Sequence, residues 1–188
     1  MNFITINKRQ YLDSINLNLG TYNPVHKFMN EKEINAVAEK MVLQNGKIFP
    51  IPIFLDIKEK FINKIKKKEK TKVIYNNQLV GYFYPHDIFE CKKKKIAKKV
   101  FGTIDIKHPG VLSFYNGGGY IISGKPFLIK ERRHSYMHTY ELTPKQTRDI
   151  FNHQGWHNII GFHTRNVCHR GHEYIQKQAL KQTDADAI

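Results

Sequence analysis

An apolar run, Ile159-Ile160-Gly161-Phe162, passes into the polar stretch His163 to Cys168, and His169-Arg170-Gly171-His172 opens a segment of helical spacing. That order predicts strand, loop and helix, with two imidazoles three residues apart at the helix entrance, on one face. One such βα unit can neither cover both faces of its strand nor pair both edges, so the pattern demands further elements around it. A helix start also offers free N–H groups and a positive dipole end, a natural seat for phosphate. Two histidines, an arginine and an asparagine aimed at that seat would stabilise charge moving onto a phosphoryl group. The pattern points to nucleotidyl transfer.

Two plainer readings compete. The histidines could be ordinary helix-surface residues, or zinc ligands. Helical zinc sites more often pair histidines at i,i+4, and Cys168, the nearest thiol, is far in sequence from the other cysteine, Cys91. No protein-bound metal is therefore expected.

Upstream, the punctuation is that of short strands. Asn30 with Glu33 has capping-box logic, and Ile34, Val37, Ala38, Met41 and Val42 follow helical spacing up to Asn45-Gly46. Ile48 to Asp56 reads as a strand, with Pro50 and Pro52 arguing for an edge or bulged position. Val73 to Tyr75, Asn76-Asn77 and Leu79 to Tyr84 read as a β-hairpin. A second hairpin is predicted from Tyr120 to Ser123, turning at Gly124-Lys125 and returning over Phe127 to Lys130. Gly117-Gly118-Gly119 reads as a flexible turn rather than a phosphate loop, because no helix pattern follows. Residues 1–30 are polar with scattered apolar positions and a Gly-Pro turn. Together these signals predict a compact, mostly β first domain. Thr143-Pro144-Lys145-Gln146 changes the register with a strong helix start, running to about Asn152. The boundary is thus drawn at 1–142 and 143–188. Beyond His172, Ile175, Ala179 and Leu180 make one apolar helical face, and Asp186-Ala187-Ile188 begins another strand.

Composition limits the alternatives. With 40% hydrophobic residues, 12 Phe and 10 Tyr, the 188-residue chain can form a true core. No apolar run is long enough for a membrane helix, and the N-terminal residues lack a signal pattern, so no membrane partner is expected. Two distant cysteines build no disulfide framework, which fits a reducing cytoplasm. The net charge of +15 raises the question of nucleic acid, but the charge sits mainly in Lys58 to Lys72 and Lys92 to Lys99. Lysine runs, unlike arginine clusters, more often make solvated faces, so no nucleic-acid site is expected from charge alone.

The residues also carry a family resemblance. Thr164-Arg165-Asn166-x-x-His169-x-x-His172 resembles the ATP sulfurylase (sulfate adenylyltransferase) signature, Gln-Thr-Arg-Asn-Pro-x-His-x-x-His. Gly20 to Pro24 through Phe28-Met29-Asn30, and Phe49 to Asp56, resemble earlier family segments in the same order. So do Val100 to Thr103 with His108 to Val111, and Leu142-Thr143-Pro144 with Arg148 and Gly155-Trp156. Two departures stand out: His163 replaces the usual glutamine, and Val167 the usual proline.

The resemblance implies an α+β chain: a mostly β, PUA-like barrel, then the first βα unit of a Rossmann-like nucleotidylyltransferase domain. It implies attack of sulfate on the α-phosphorus of ATP, giving adenylyl sulfate and pyrophosphate. Thr164, Arg165 and Asn166 would be catalytic, with Thr164 and Asn166 orienting the reacting groups. His163 and Arg165 would hold sulfate, and His163, Arg165, Asn166, His169 and His172 would contact ATP. His163 can still donate a hydrogen bond. Magnesium would travel with the nucleotide. In the family the catalytic domain continues with further nucleotide-site residues, so the chain is expected to be an N-terminal portion, inactive alone, with a homo-oligomer open to it. Two rival readings stay open: a basic PUA-like module contacting RNA without chemistry, and nucleotidyl transfer to an acceptor other than sulfate, prompted by His163.

Overall fold

The computed structural model of the protein describes residues 2–129 and 140–188. Residue contacts divide the chain into two compact units, Met1–His134 and Ser135–Ile188. The architecture is mixed α and β.

In the first unit, β1 (Phe3–Thr5), β2 (Leu55–Ile57), β3 (Thr71–Tyr75), β4 (Gln78–Glu90) and β5 (Tyr120–Leu128) form one sheet in the order β1-β3-β4-β5-β2. β1 runs parallel to β3, and the other neighbours are antiparallel. The expected first hairpin is β3–β4. Asn76 and Asn77 both take positive φ, 47° and 59°, the two-residue turn whose twist matches the flanking strands. β2 lies at the sheet edge, as the prolines predicted, but only Leu55 to Ile57 of the expected strand pair regularly.

The predicted second hairpin is not formed. β5 runs unbroken from Tyr120 to Leu128, with Gly124 opposite Pro85. Gly124 has φ 148°, and an added Cβ would stand 2.2 Å from the Tyr84 carbonyl oxygen. This glycine permits a close strand approach beside the irregular register at Pro85–Ile88 rather than a turn.

Among the described residues, four α-helices accompany this sheet, α1 (Lys8–Leu19), α2 (Glu31–Lys40), α3 (Lys93–Phe101) and α4 (Pro109–Tyr115), with a 3-10 turn over Glu59–Lys64. The unit is therefore more helical than the strand-rich expectation. α2 begins with the predicted Asn30/Glu33 box but ends at Lys40, because Met41 adopts the left-handed conformation and Val42 bridges back to Ile48. α1 was not legible in the pattern. Its inward face carries Gln10 and Ser14 beside Tyr11, Ile15 and Leu17, and Gln10 Nε2 donates to the Asp56 carbonyl and carboxylate. Asp56 is itself buried and also accepts from Arg9 and from Gly118 N–H. The triglycine is thus a tied loop, with Lys93 Nζ donating to the carbonyls of Tyr115 and Gly117. The lysine run forms α3, and its face is not wholly solvated: Ile96 and Ala97 are buried, and Lys92, Lys95 and Lys99 pair with Glu31 and Glu39 of α2. The core gathers Phe28, Phe83, Ile34, Val37, Ile121 and Ile122.

The second unit holds α5 (Pro144–Gln154) and α6 (Arg170–Thr183). α5 starts with the predicted Thr143/Gln146 box and ends on left-handed Gly155. The expected strand before the signature is a single parallel bridge, Ile159 to Ala187, with Ile160 N–H donating to Ala187 O at 3.0 Å. Lys130, the end of the predicted second hairpin, lies outside the described residues.

Candidate functional site

The site is built on one connection, from the Ile159–Ala187 bridge into α6. Asp186 anchors its base: the carboxylate accepts the backbone N–H groups of His157 and Asn158 at 2.7 and 2.8 Å, which hold its pKa below the usual range. Asn158 Nδ2 in turn donates to Thr183 O and Asp184 O at the end of α6. Both ends of this connection are therefore tied by side-chain-to-backbone hydrogen bonds, and neither α5 nor α6 has a fully buried residue.

At the helix entrance the structure brings His169 and His172 together. His169 is the N-cap, and its Nδ1 accepts from Gly171 N–H at 3.1 Å; His172 Nδ1 accepts from His169 N–H at 3.4 Å. The imidazoles stack with centroids 4.0 Å apart. A nitrogen that accepts leaves the proton on the other one, so in the neutral rings both Nε2–H groups are donors not used by the cap. Gly171 makes this possible: an added Cβ would stand 3.0 Å from His169 Cε1. Phe162, read only as a strand residue, has a second role; its ring meets His172 edge-on at 5.7 Å and helps fix that imidazole.

The preceding loop is shaped locally. Thr164 Oγ1 accepts from Asn166 N–H at 3.1 Å, so these two predicted site residues are joined. His163 and Arg165 are exposed, and among the described residues their side chains make no hydrogen bond or ion pair. Six predicted residues thus fall on one loop and one helix start, yet only the Thr164–Asn166 and His169–His172 pairs are in contact. Glu173, one residue past the motif, is held by Lys177, which donates to it and lowers its carboxyl pKa. Cys168 is exposed and Cys91 buried in the other unit, so no disulfide joins them. No group of three or more His, Cys, Asp or Glu side chains converges as a metal site among the described residues. None of the described helices is long and apolar enough to cross a membrane.

Residues 1–131 match the family described as PUA-like domain, and residues 138–188 match the one described as ATP-sulfurylase. Over residues 1–131, the larger part of its length, the chain belongs to the PUA-like domain family. It is 35% identical over 172 residues to a sulfate adenylyltransferase of Ignicoccus hospitalis, covering 92% of this chain and 45% of that relative. Its identity to the sulfate adenylyltransferase of Trichormus variabilis is 33% over 184 residues, with 96% and 46% covered. The chain thus spans about half the length of the curated relatives it matches. Among solved structures, a hexameric APS kinase from Thiobacillus denitrificans superposes with a TM-score of 0.73 at 16% identity, covering 100% of this chain and 33% of that one. At such low identity the likeness concerns the fold. The stacked histidines and the Thr164-Arg165-Asn166 loop stand in one continuous segment, within the residues that match ATP-sulfurylase.

Proposed function

We propose that this chain contributes its histidine-capped helix start to a sulfate adenylyltransferase, which moves the adenylyl group of ATP onto sulfate. The observation that carries this reading is the His169/His172 stack, two Nε2 donors that the cap does not use at a helix N-terminus, in a segment that matches ATP-sulfurylase. The finer architecture is proposed with it: a PUA-like, barrel-derived domain over 1–142, and the opening βα unit of a Rossmann-like nucleotidyl-transfer domain over 143–188.

In the proposed reaction a sulfate oxygen attacks the α-phosphorus, the bond to the bridging oxygen breaks, and pyrophosphate leaves with that electron pair. No covalent enzyme intermediate is needed, so the protein's work is positioning and charge stabilisation. Arg165 would hold the sulfate by its planar guanidinium, with His163 donating beside it. Asn166, tethered through Thr164, would orient the reacting oxygens. His169 and His172 would donate to the phosphates as charge accumulates on the leaving pyrophosphate. Magnesium would be carried by the nucleotide phosphates, and it would neutralise their charge.

The test is sulfate-dependent pyrophosphate release by a chain that carries these residues and continues through the length of the relatives. Arg165→Ala and His172→Ala are each expected to lower turnover about a hundredfold or more, as loss of one preorganised donor does. Their melting temperatures should stay close to the unaltered protein's, because both side chains are away from any core. Near-normal turnover in both variants would falsify the assignment.

A further inference from the structure

The outer face of the first unit's sheet carries a pattern that adenylyl transfer does not use. Across β4 and β5, Tyr82 pairs with Phe127 and Tyr84 with Lys125, while Lys72 of β3 pairs with Tyr82. The alternation buries Phe83 in the core at 1% exposure and leaves Tyr84 at 37% and Phe127 at 43%. The Tyr84 and Phe127 rings meet edge to face at 5.6 Å. Lys70 Nζ stands 3.7 Å over the Tyr82 ring, and Lys125 Nζ lies 5.4 Å from the Phe127 centroid.

These side chains and His86 line an open groove of about 590 Å³ that no carboxylate borders. His86 and Lys125 also border a neighbouring groove of about 510 Å³, flanked by His26 and Lys27. Carboxylates around the two grooves are already engaged: Asp87 by Lys67, Glu69 by Lys66 and Glu33 by Lys27. This separates the face from α3, where Lys95 and Lys99, with the N-cap Lys92, are answered by Glu39 and Glu31 of α2.

A merely solvated lysine face has no use for exposed rings, and an ordinary sheet surface has no use for cations over them. One common polymer matches both at once, offering a negative charge and a bare π-face at every residue. A duplex hides its base faces, and an acidic peptide has charge without stacking surface. We infer that the β4–β5 outer face binds single-stranded nucleic acid without sequence preference. Bases stack on Tyr84 and Phe127, and phosphates meet Lys70 and Lys125. This site is separate from the adenylyl-transfer reading and stands or falls without it.

The test is fluorescence anisotropy of the 188-residue chain with labelled oligouridine and oligothymidine of roughly a dozen nucleotides, titrated between about 50 and about 200 mM salt. Binding is expected to weaken with salt at a log–log slope of roughly −1.4, from two phosphate contacts at about −0.7 each. Tyr84→Ala and Phe127→Ala should each weaken binding about tenfold and keep the slope. Phe127→Leu, which retains apolar bulk, should behave like Phe127→Ala. Lys70→Glu with Lys125→Glu should flatten the slope, whereas Lys94→Glu with Lys98→Glu on α3, an equal charge change, should leave affinity within about twofold. Tighter binding of the uridine probe assigns RNA as the ligand, and equal binding assigns the shared chemistry; both keep the inference. It is overturned by absence of binding at the lowest salt, by equal loss in the α3 variant, or by duplex DNA or polyglutamate competing as well as the oligonucleotides.

Discussion

Cys91 and Cys168 show how position alone separates two identical side chains. Cys91 is buried, and that burial pushes its thiol up to about 11 from 9.0, while Cys168 lies exposed in the loop before α6. The thiolate is the reactive form, so a thiol reagent near neutral pH should label Cys168 quickly and Cys91 only after unfolding. The pH dependence has a definite sign. Between about 9 and about 11 the unfolded chain has lost the Cys91 proton and the folded chain keeps it, so this group's contribution is intact below 9 and declines towards 11. Urea midpoints of the native chain and Cys91→Ala, compared across that window, should converge as pH rises. At the same scale, the motif histidines were legible in the sequence because capping is a local event. Their stacking was not, because it depends on Gly171 leaving space for the His169 ring.

Among the elements, local chemistry again divides what could be read from what could not. The turn of β3–β4 and the starts of α2 and α5 were all readable, since two-residue turns and capping boxes are complete within four residues. α1 has the same device, an Asn7/Gln10 box, yet its buried Gln10 and Ser14 break the apolar periodicity. These polar groups are tolerated inside because Asp56 and the helix backbone answer them. Gly124 is the opposite case, a turn-like residue inside a strand. Gly124→Ala should cost roughly 3 kcal/mol or more, since the methyl group meets the Tyr84 carbonyl and φ is unsuited to a side chain. A urea titration that showed a loss below about 1 kcal/mol would mean that β4 and β5 can separate locally at little cost.

Over the whole chain, stability should be unevenly shared. The first unit buries a continuous core from Ile4 to Ile122. The second holds together through caps and the Asp186 anchor, with Ile150, Tyr174 and Ile175 exposed. Hydrogen exchange of the 188-residue chain should therefore protect β4 and β5 strongly and α5 and α6 weakly. Equal protection in a demonstrated monomer would require a core for the second unit that its burial pattern does not provide. The same chain is expected to give no sulfate-dependent pyrophosphate release, because it spans about half of its relatives, and of its predicted site residues His163, Arg165, Asn166 and His169 are exposed. Measurable release by the purified chain would show that this loop and helix start suffice for the chemistry.

What the sequence determined by itself was the set of features closed within a few residues: the caps, the Asn-Asn turn, the helix opening at His169 and the colinear family motifs. The tertiary structure alone decided that Gly124-Lys125 continues a strand, that Asp56 ties α1 to the triglycine loop, and that Tyr82, Tyr84 and Phe127 share one face with Lys70 and Lys125. Each of these depends on a partner distant in sequence. A side chain's local preference carries no record of which strand will lie opposite it, or of how closely two backbones will approach.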